Sequence, residues 1–447
     1  MTHSHDEQIA TIFGIDPVLL SASILVITFL VLFTERFNRT VVALLGAGVV
    51  IMSGVLTQQQ AFAGIDFNTL ALLTGMMVIV AVTRQTGLFE YISIWAVHLV
   101  KGDPRGVLIV LSLVTAVFSA FLDNLTTVLL VVPIALLIAE KLEVSPYPFL
   151  ISQILASNIG GTATLIGDPP NILIGSATGY SFTDFLFNLG PVVVILLVMT
   201  TLFFYFFLGR SLYTSQENRD RIMKFRPDES IQDPALLKIS LAVIAGVIAG
   251  FIAGEHFGIH PGTIAMFGAA LLLFISDFGG NAQVQGRRVR EAFAEVEWGA
   301  LFFFIGLFIL VRGVEHTGIL NTLGEKLIHM TDGDPQTTTF AVLWLAALSS
   351  AAIDNIPFVT TMIPLVESME ASLGGAEAVE PVWWSLALGA CLGGNGSLIG
   401  AAANVMVAGL GDRAGYPLGF LTFIKIGLPV MLLSVVVANL YIYLVYF

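Results

Sequence analysis

The sequence predicts an all-α polytopic membrane protein of two inverted-topology repeats, each with five transmembrane spans, one of them broken, and one re-entrant hairpin. Three observations carry that prediction. Of 447 residues, 56% are hydrophobic and only 11% charged, and the mean hydropathy is +0.89, so most of the length cannot form a water-facing surface. Two Asp-Asn pairs, Asp123-Asn124 and Asp354-Asn355, sit deep in apolar sequence, each with a proline ten positions after its aspartate (Pro133, Pro364). The halves also match at a fixed separation. Thr86-Gly87-Leu88, Gly102-Asp103-Pro104 and Asp123-Asn124 recur 231 residues later as Thr317-Gly318-Ile319, Gly333-Asp334-Pro335 and Asp354-Asn355. Gly160-Gly161, Leu165-Ile166-Gly167 and Asn171 recur at an offset of 233 as Gly393-Gly394, Leu398-Ile399-Gly400 and Asn404.

Residues 1–16 are polar and acidic, with no basic stretch ahead of the first apolar run, so that run reads as a retained span rather than a signal peptide. The first repeat, 17–209, offers spans near 17–34, 40–57, 68–85, 148–179 and 188–209; the second, 236–447, offers 236–254, 262–278, 297–314, 382–410 and 422–445. Between the third and fourth spans of each half, residues 106–139 and 338–371 read as hairpins tipped by the Asp-Asn pairs, and 88–101 and 317–330 read as segments along the membrane surface. Residues 210–235 form a polar cytoplasmic linker. Five crossings per half is an odd number, so the second copy enters upside down. With both termini outside the cell inner (plasma) membrane, 17 of the 19 lysines and arginines fall on the cytoplasmic side, Arg312 and Lys326 being the exceptions.

A carboxylate near the bilayer centre costs about 2.5–3.5 kcal/mol on insertion scales, so two at matching depths point to an ion or solute path. SNIGGTATLIGDPPNILIG, from Ser157 to Gly175, puts prolines, glycines and Asp168 inside what should be one crossing helix, and LGGNGSLIGAAANVMV, from Leu392 to Val407, repeats the interruption without proline. Irregular backbone survives at that depth only where it is buried in protein or lines a wet cavity, where free carbonyls become ligands. The two breaks are expected to face the two hairpin tips. Capping is the plain alternative role for Asp123 and Asp354, and a turn before Pro169 for Asp168. Cys391 is the single cysteine, which excludes a disulfide or a multi-thiolate metal site. There is no zinc-protease motif and no phosphate-binding lysine loop, and Gly409-Leu410-Gly411-Asp412 lacks the Tyr-Asp partner of an intramembrane protease. An enzyme is not expected, no cofactor is expected, and the net charge of −13, spread over loops, points to no nucleic-acid partner.

The Asp-Asn hairpins, GGTATLIGDPPN and the glycine-rich second break resemble the arsenite permease and NhaD-type antiporter branch of the ion transporter superfamily, which includes P-protein-like members, and the likeness covers nearly the whole chain. The chain is more distantly similar to sodium/dicarboxylate symporters, which carry Ser-Asn-Thr at the tips where this sequence has Asp123-Asn124-Leu125 and Asp354-Asn355-Ile356. The resemblance implies two inverted bundles with the substrate between tips and breaks. The aspartates add titratable groups, which favours proton coupling through Asp123, Asp354 and Asp168. The last is the asymmetric element, because its repeat position is Ala401. The expected binding set is Asn124, Thr126, Thr127, Asn158, Gly160, Gly161, Thr162, Thr164 and Asn171 from the first half, and Asn355, Thr360, Thr361, Gly393, Gly394, Asn395, Ser397 and Asn404 from the second. Arsenite or antimonite efflux driven by the proton gradient is the first expectation. Sodium or lithium exchange for protons is the alternative, and a carboxylate or other anion carrier is third, because neither break holds a lysine or arginine. Expected partners are a small inorganic solute, the lipid bilayer and, as another energy source, a cytoplasmic ATPase subunit; the chain is expected to be a monomer or homodimer.

Overall fold

The computed structural model describes residue 11 and residues 14–34, 36–276 and 282–447, so most of the expected polar segment 1–16 lies outside the described residues, as do residues 277 and 278 of the seventh expected span. The chain folds as helices in the expected order. Pro17–Phe33, Arg39–Met52 and Phe67–Arg84 are the first three, followed by a short helix at Leu88–Leu99, in the segment expected along the membrane surface. The first hairpin is Pro104–Phe121 with Asn124–Lys141, the first broken helix is Tyr147–Gly161 with Pro169–Thr178, and Phe182–Phe203 closes the half. The second half runs Pro234–Gly254, Pro261–Ser276, Ala282–Ala294, Trp298–His316, the equivalent short helix Ile319–Met330, hairpin Pro335–Ala352 with Asn355–Leu373, broken helix Ala376–Gly393 with Ala402–Arg413, and Phe420–Tyr446.

The repeat governs local geometry down to single dihedrals. Both of these short helices start from a left-handed glycine, Gly87 at φ 79° and Gly318 at φ 77°, and both hairpins enter through a left-handed pair, Lys101-Gly102 (φ 52° and 64°) and Asp332-Gly333 (φ 53° and 67°). The hairpins then begin identically. Asp103 and Asp334 accept backbone N–H groups of the first turn, and Pro104 and Pro335 occupy the position whose missing N–H costs nothing. At Gly87 a side chain would strike the Ser230 carbonyl of the linker, so glycine is required there for space as well as for its dihedral. The linker binds this edge: Gln232 N donates to the Thr86 carbonyl at 3.0 Å, and Arg219 pairs with Asp103 at 2.9 Å.

Two groups of helices result. In the outer group each half's third span packs on the other half's second. A Cβ on Gly75 would lie 2.5 Å from the Ala265 carbonyl carbon, and one on Gly306 would lie 2.7 Å from that of Ala43. The inner group holds both hairpins and both broken helices. Each first hairpin arm lies directly on the half-helix before a break, Gly160 against the Ala116 backbone and Gly393 against that of Ala347. Four 18- or 19-residue hairpin arms are thereby held beside helices interrupted halfway, which brings both tips to the level of the breaks. Among the described residues seven helices are long and apolar enough to cross a membrane, and the arms of the first hairpin are two of them, so length alone does not mark them as re-entrant. Each pair of arms is joined by a short non-helical turn, Leu122-Asp123 and Ile353-Asp354.

Gly160→Val and Gly393→Val put a branched side chain into backbone that cannot retreat and are expected to cost about 1–3 kcal/mol or more each. Gly48→Ala, with nothing within 4 Å of the added carbon, is expected to leave stability unchanged or raised. The thermal midpoints of the purified variants in detergent check this.

Candidate functional site

Each break is closed by one asparagine reaching back across it. Asn171 Nδ2 donates to the carbonyls of Thr162 at 3.1 Å and Thr164 at 2.9 Å; Asn404 Nδ2 donates to those of Gly394 at 2.6 Å and Ser397 at 2.8 Å. Hydroxyls join each break to the hairpin beside it. Ser119 and Ser350 donate to the Ser157 and Ala390 carbonyls, both at 2.7 Å, while Thr164 and Ser397 donate to the carbonyls of Ala120 and Ala351. Carbonyls released by the missing helical turns are thus taken up by side chains, as burial away from water requires.

Between the tips lies Asp168, fully buried, whose Oδ1 accepts from Asn124 Nδ2 at 3.2 Å and Asn355 Nδ2 at 3.4 Å. One carboxylate oxygen therefore receives the amide of both hairpin tips. Asn124 Nδ2 also lies 3.3 Å from Asn158 Oδ1, and Asn158 Nδ2 donates to Asn404 Oδ1 at 2.9 Å and Asn395 Oδ1 at 3.1 Å. Cys391, the repeat position of Asn158, places its thiol 3.5 Å from Asn171 Oδ1, a weaker copy of the Asn158–Asn404 contact. Asp168 Oδ2, Asn395 Nδ2 and Thr127 Oγ1 are buried without a hydrogen-bond partner. Unsatisfied buried polar atoms are costly, and Asp168, whose Oδ2 is one of them, lines the small void between the tips, which marks a site suited to a polar solute.

The tip aspartates themselves do different things. Asp123 caps its own helix, Oδ1 accepting from Thr126 N at 2.8 Å and Oδ2 from the Thr126 hydroxyl. Asp354 accepts from Ile356 N at 3.1 Å and forms an ion pair with Arg39 Nη1 at 3.2 Å, across a sequence separation of 315 residues. A void of about 30 Å³ touches Asp123, Asn124, Asp168, Asn355 and Arg39. On one face a vestibule of about 480 Å³ leads to the second tip, walled by Arg39, Phe303, Asp354, Val405 and Arg413. The corresponding pocket of the other repeat, about 210 Å³ around Asn68, Ile172, Tyr180 and Pro261, reaches neither tip. Of these two pockets, only the vestibule reaches a tip.

The structure gathers Asn124, Asn158, Asp168, Asn355, Asn395 and Asn404 at the centre, with Asp123 beside them and Asn171 supporting the break, whereas the buried Thr127 hydroxyl makes no hydrogen bond to this group. Other members of the expected binding set have their polar atoms committed to backbone. Thr162, Thr360 and Thr361 donate to carbonyls of their own helices at 2.7, 2.8 and 2.7 Å, Ser397 and Thr164 fasten the hairpins, and Thr126 serves Asp123. Gly161 and Gly394 lie against the carbonyls of Gly167 and Gly400 across each break. Arg39 escaped the sequence reading as a site residue, since an arginine just ahead of an apolar run counts there only as a topology signal.

Two interlocked helical halves around a buried polar site, with a vestibule leading to one hairpin tip, define a multi-pass membrane transporter. The chain belongs to the citrate transporter family CitMHS, whose model matches residues 29–389. An uncharacterized transporter of Mycobacterium tuberculosis is 40% identical over 432 residues, covering 96% of this chain and 98% of the relative. The P protein of Homo sapiens is 32% identical over 506 residues, covering 95% of this chain and 59% of that protein. The Alcanivorax borkumensis YdaH transporter, 15% identical, superposes with a TM-score of 0.61 over 96% of this chain and 98% of that one, which shows the fold alone. Family and relatives are transporters rather than enzymes, within the ion transporter superfamily that the motifs resemble.

Asn171→Ala and Asn404→Ala each strand buried carbonyls and are expected to lower unfolding free energy by about 1–3 kcal/mol. Thr361→Val, which loses only a bond to its own helix, is expected to stay within about 0.5 kcal/mol. Thermal unfolding of the purified variants separates the two outcomes.

Proposed function

We propose that the chain is a proton-coupled secondary transporter of the inner (plasma) membrane, both termini outside, that exports arsenite or antimonite by opening the central site to each side in turn. The observation that carries the reading is Asp168 Oδ1 held by the asparagine amides of both tips. Two amide donors compensate part of the cost of a buried carboxylate, and its free Oδ2 remains for a proton or a solute hydroxyl. Arsenous acid is neutral, compact and carries three hydroxyls that both donate and accept. Asp168, which lines a small void between the tips, has an unpartnered Oδ2 to offer as an acceptor, and this suits such a solute. Cargo binding and protonation would then compete for one carboxylate, which is the elementary requirement for exchange. The Asp168 position is alanine in the other repeat, so a single carboxylate would serve both half-cycles. Energy would come from the proton gradient or from an associated cytoplasmic ATPase, with the chain acting as monomer or homodimer.

Sodium or lithium exchange is the second reading, favoured by the closeness of Asn158 Oδ1 and Asp168 Oδ1 around one amide, since hard cations select oxygen ligands. A carboxylate cargo gains support from the family's description as citrate transporters and from Arg39 at the vestibule, but the volume at the centre is far smaller than a tricarboxylate needs.

Everted membrane vesicles under an imposed proton gradient, offered arsenite, antimonite, sodium, lithium and citrate separately, test the proposal. Arsenite and antimonite uptake is expected, reduced more than about tenfold in Asp168→Asn, because two hydrogen bonds to a charged acceptor are altered at about 1.5–3 kcal/mol each. Gly48→Ala is expected to transport as the parent does. Gradient-driven sodium or lithium movement without arsenite would move the assignment to cation exchange, and full activity in Asp168→Asn would overturn both.

A further inference from the structure

The two pockets occupy equivalent places in the two repeats, yet their walls differ in charge. Ala43, against Gly306, corresponds to Ala265, against Gly75, an offset of 222 between the second spans. That offset carries Arg39 onto Pro261, and the offset of 233 carries Arg413 onto Tyr180. The vestibule that reaches a tip is therefore walled by two arginines, and the pocket that stops short has proline and tyrosine at the same places. The tips differ accordingly: Asp354 pairs with Arg39, whereas Asp123 accepts from its own helix.

Arg39 belongs to the outer group. Its helix packs along Trp298–His316, and its guanidinium lies 5.4 Å from the centre of the Phe303 ring on that helix. Asp354 belongs to the inner group, at the turn of a hairpin. Among the described residues this is the ion pair that joins a tip to the outer group, and its side chains remain 35% and 21% exposed to the vestibule. A partly exposed pair of this kind is screened and contributes modestly to overall stability, so its weight falls on the choice between arrangements in which the pair is made or broken.

We infer that Arg39 is a positioning residue of the transport cycle: its ion pair with Asp354 holds the second tip against the outer group and keeps the arginine-walled vestibule open, and the tip must leave Arg39 before the opposite pocket opens. No cation stands at Pro261 to hold Asp123 in the mirrored arrangement, so the pair favours one facing state over the other. The inference rests on the alternating opening proposed above and not on which solute is carried.

Val405 and Ile172 are equivalent by the repeat; Val405 lines the vestibule and is 48% exposed, and Ile172 lines the closed pocket and is 2% exposed. In a Cys391→Ala background, Val405→Cys and Ile172→Cys report each opening through their reaction rates with a membrane-impermeant thiol reagent. Arg39→Gln and Asp354→Asn are expected to raise the Ile172→Cys rate relative to the Val405→Cys rate by about three- to fivefold, the reach of a partly exposed ion pair. Exchanging the charges, Arg39→Asp with Asp354→Arg, is expected to return the ratio towards the parent value, which a merely structural role for Arg39 would not do. If Arg39→Gln fails to accumulate, Asp354→Asn and the exchanged pair carry the test. An unchanged ratio in Arg39→Gln and Asp354→Asn overturns the inference. Failure to label Ile172→Cys in the parent under a proton gradient with arsenite, sodium, lithium and citrate offered in turn removes alternating opening itself, and so is distinguishable.

Discussion

Helices interrupted at mid-depth in a membrane leave carbonyls that water cannot reach, and the architecture follows from how those carbonyls are satisfied. Asn171 and Asn404 each span their own break, while Ser119, Ser350, Thr164 and Ser397 connect breaks to hairpins. The hairpins can approach closely enough to do this only because Gly160 and Gly393 let backbone rest on backbone. Glycine, hydroxyl and amide at these positions are thus one device used twice. With the breaks stabilised, two tips and two half-helices converge on a volume whose remaining polar atoms face one another rather than backbone.

The repeat duplicates the frame and not the chemistry. Asp168 and Ala401 share extended backbone, φ −143° and −152°, yet only one presents a carboxylate. Asn158 and Cys391 make the same reach to an asparagine across the centre with different donors. Symmetric frames allow opposite-facing states of comparable energy, and unlike residues set into them decide which state waits and which group meets the solute. A single buried carboxylate between two amides is a small change in composition with a large effect on what the chamber binds.

Much of this was legible in the sequence because the signals were redundant. The expected segments 88–101, 317–330, 106–139 and 338–371 fall within about three residues of helices that recur to the residue at the offset of 231, Leu88–Leu99 with Ile319–Met330 and Pro104–Phe121 with Pro335–Ala352. Prolines, glycines and Asp168 inside an apolar run identified the first break, and the alignment identified Ala401 as its uncharged counterpart. What a local reading could not supply was direction. Threonines in GGTATLIG look free to bind solute, but a hydroxyl in a membrane helix has carbonyls of its own within reach, and Thr162, Thr360 and Thr361 use them. Arg39 and Asp354 meet across 315 residues, a distance over which no spacing rule operates. The nature of the solute is carried by the shape and donors of a void of about 30 Å³, which only the folded chain displays.

The central claim is that proton and cargo compete for Asp168. Proton release on adding arsenite to the purified protein in weakly buffered detergent measures that competition without a membrane or a gradient. In titrations from about pH 5 to 8 the account predicts proton release on arsenite binding by the parent protein, growing as the pH falls and Asp168 becomes protonated beforehand, and none by Asp168→Asn. Equal release from both, or binding by the parent with no release at all, would contradict it.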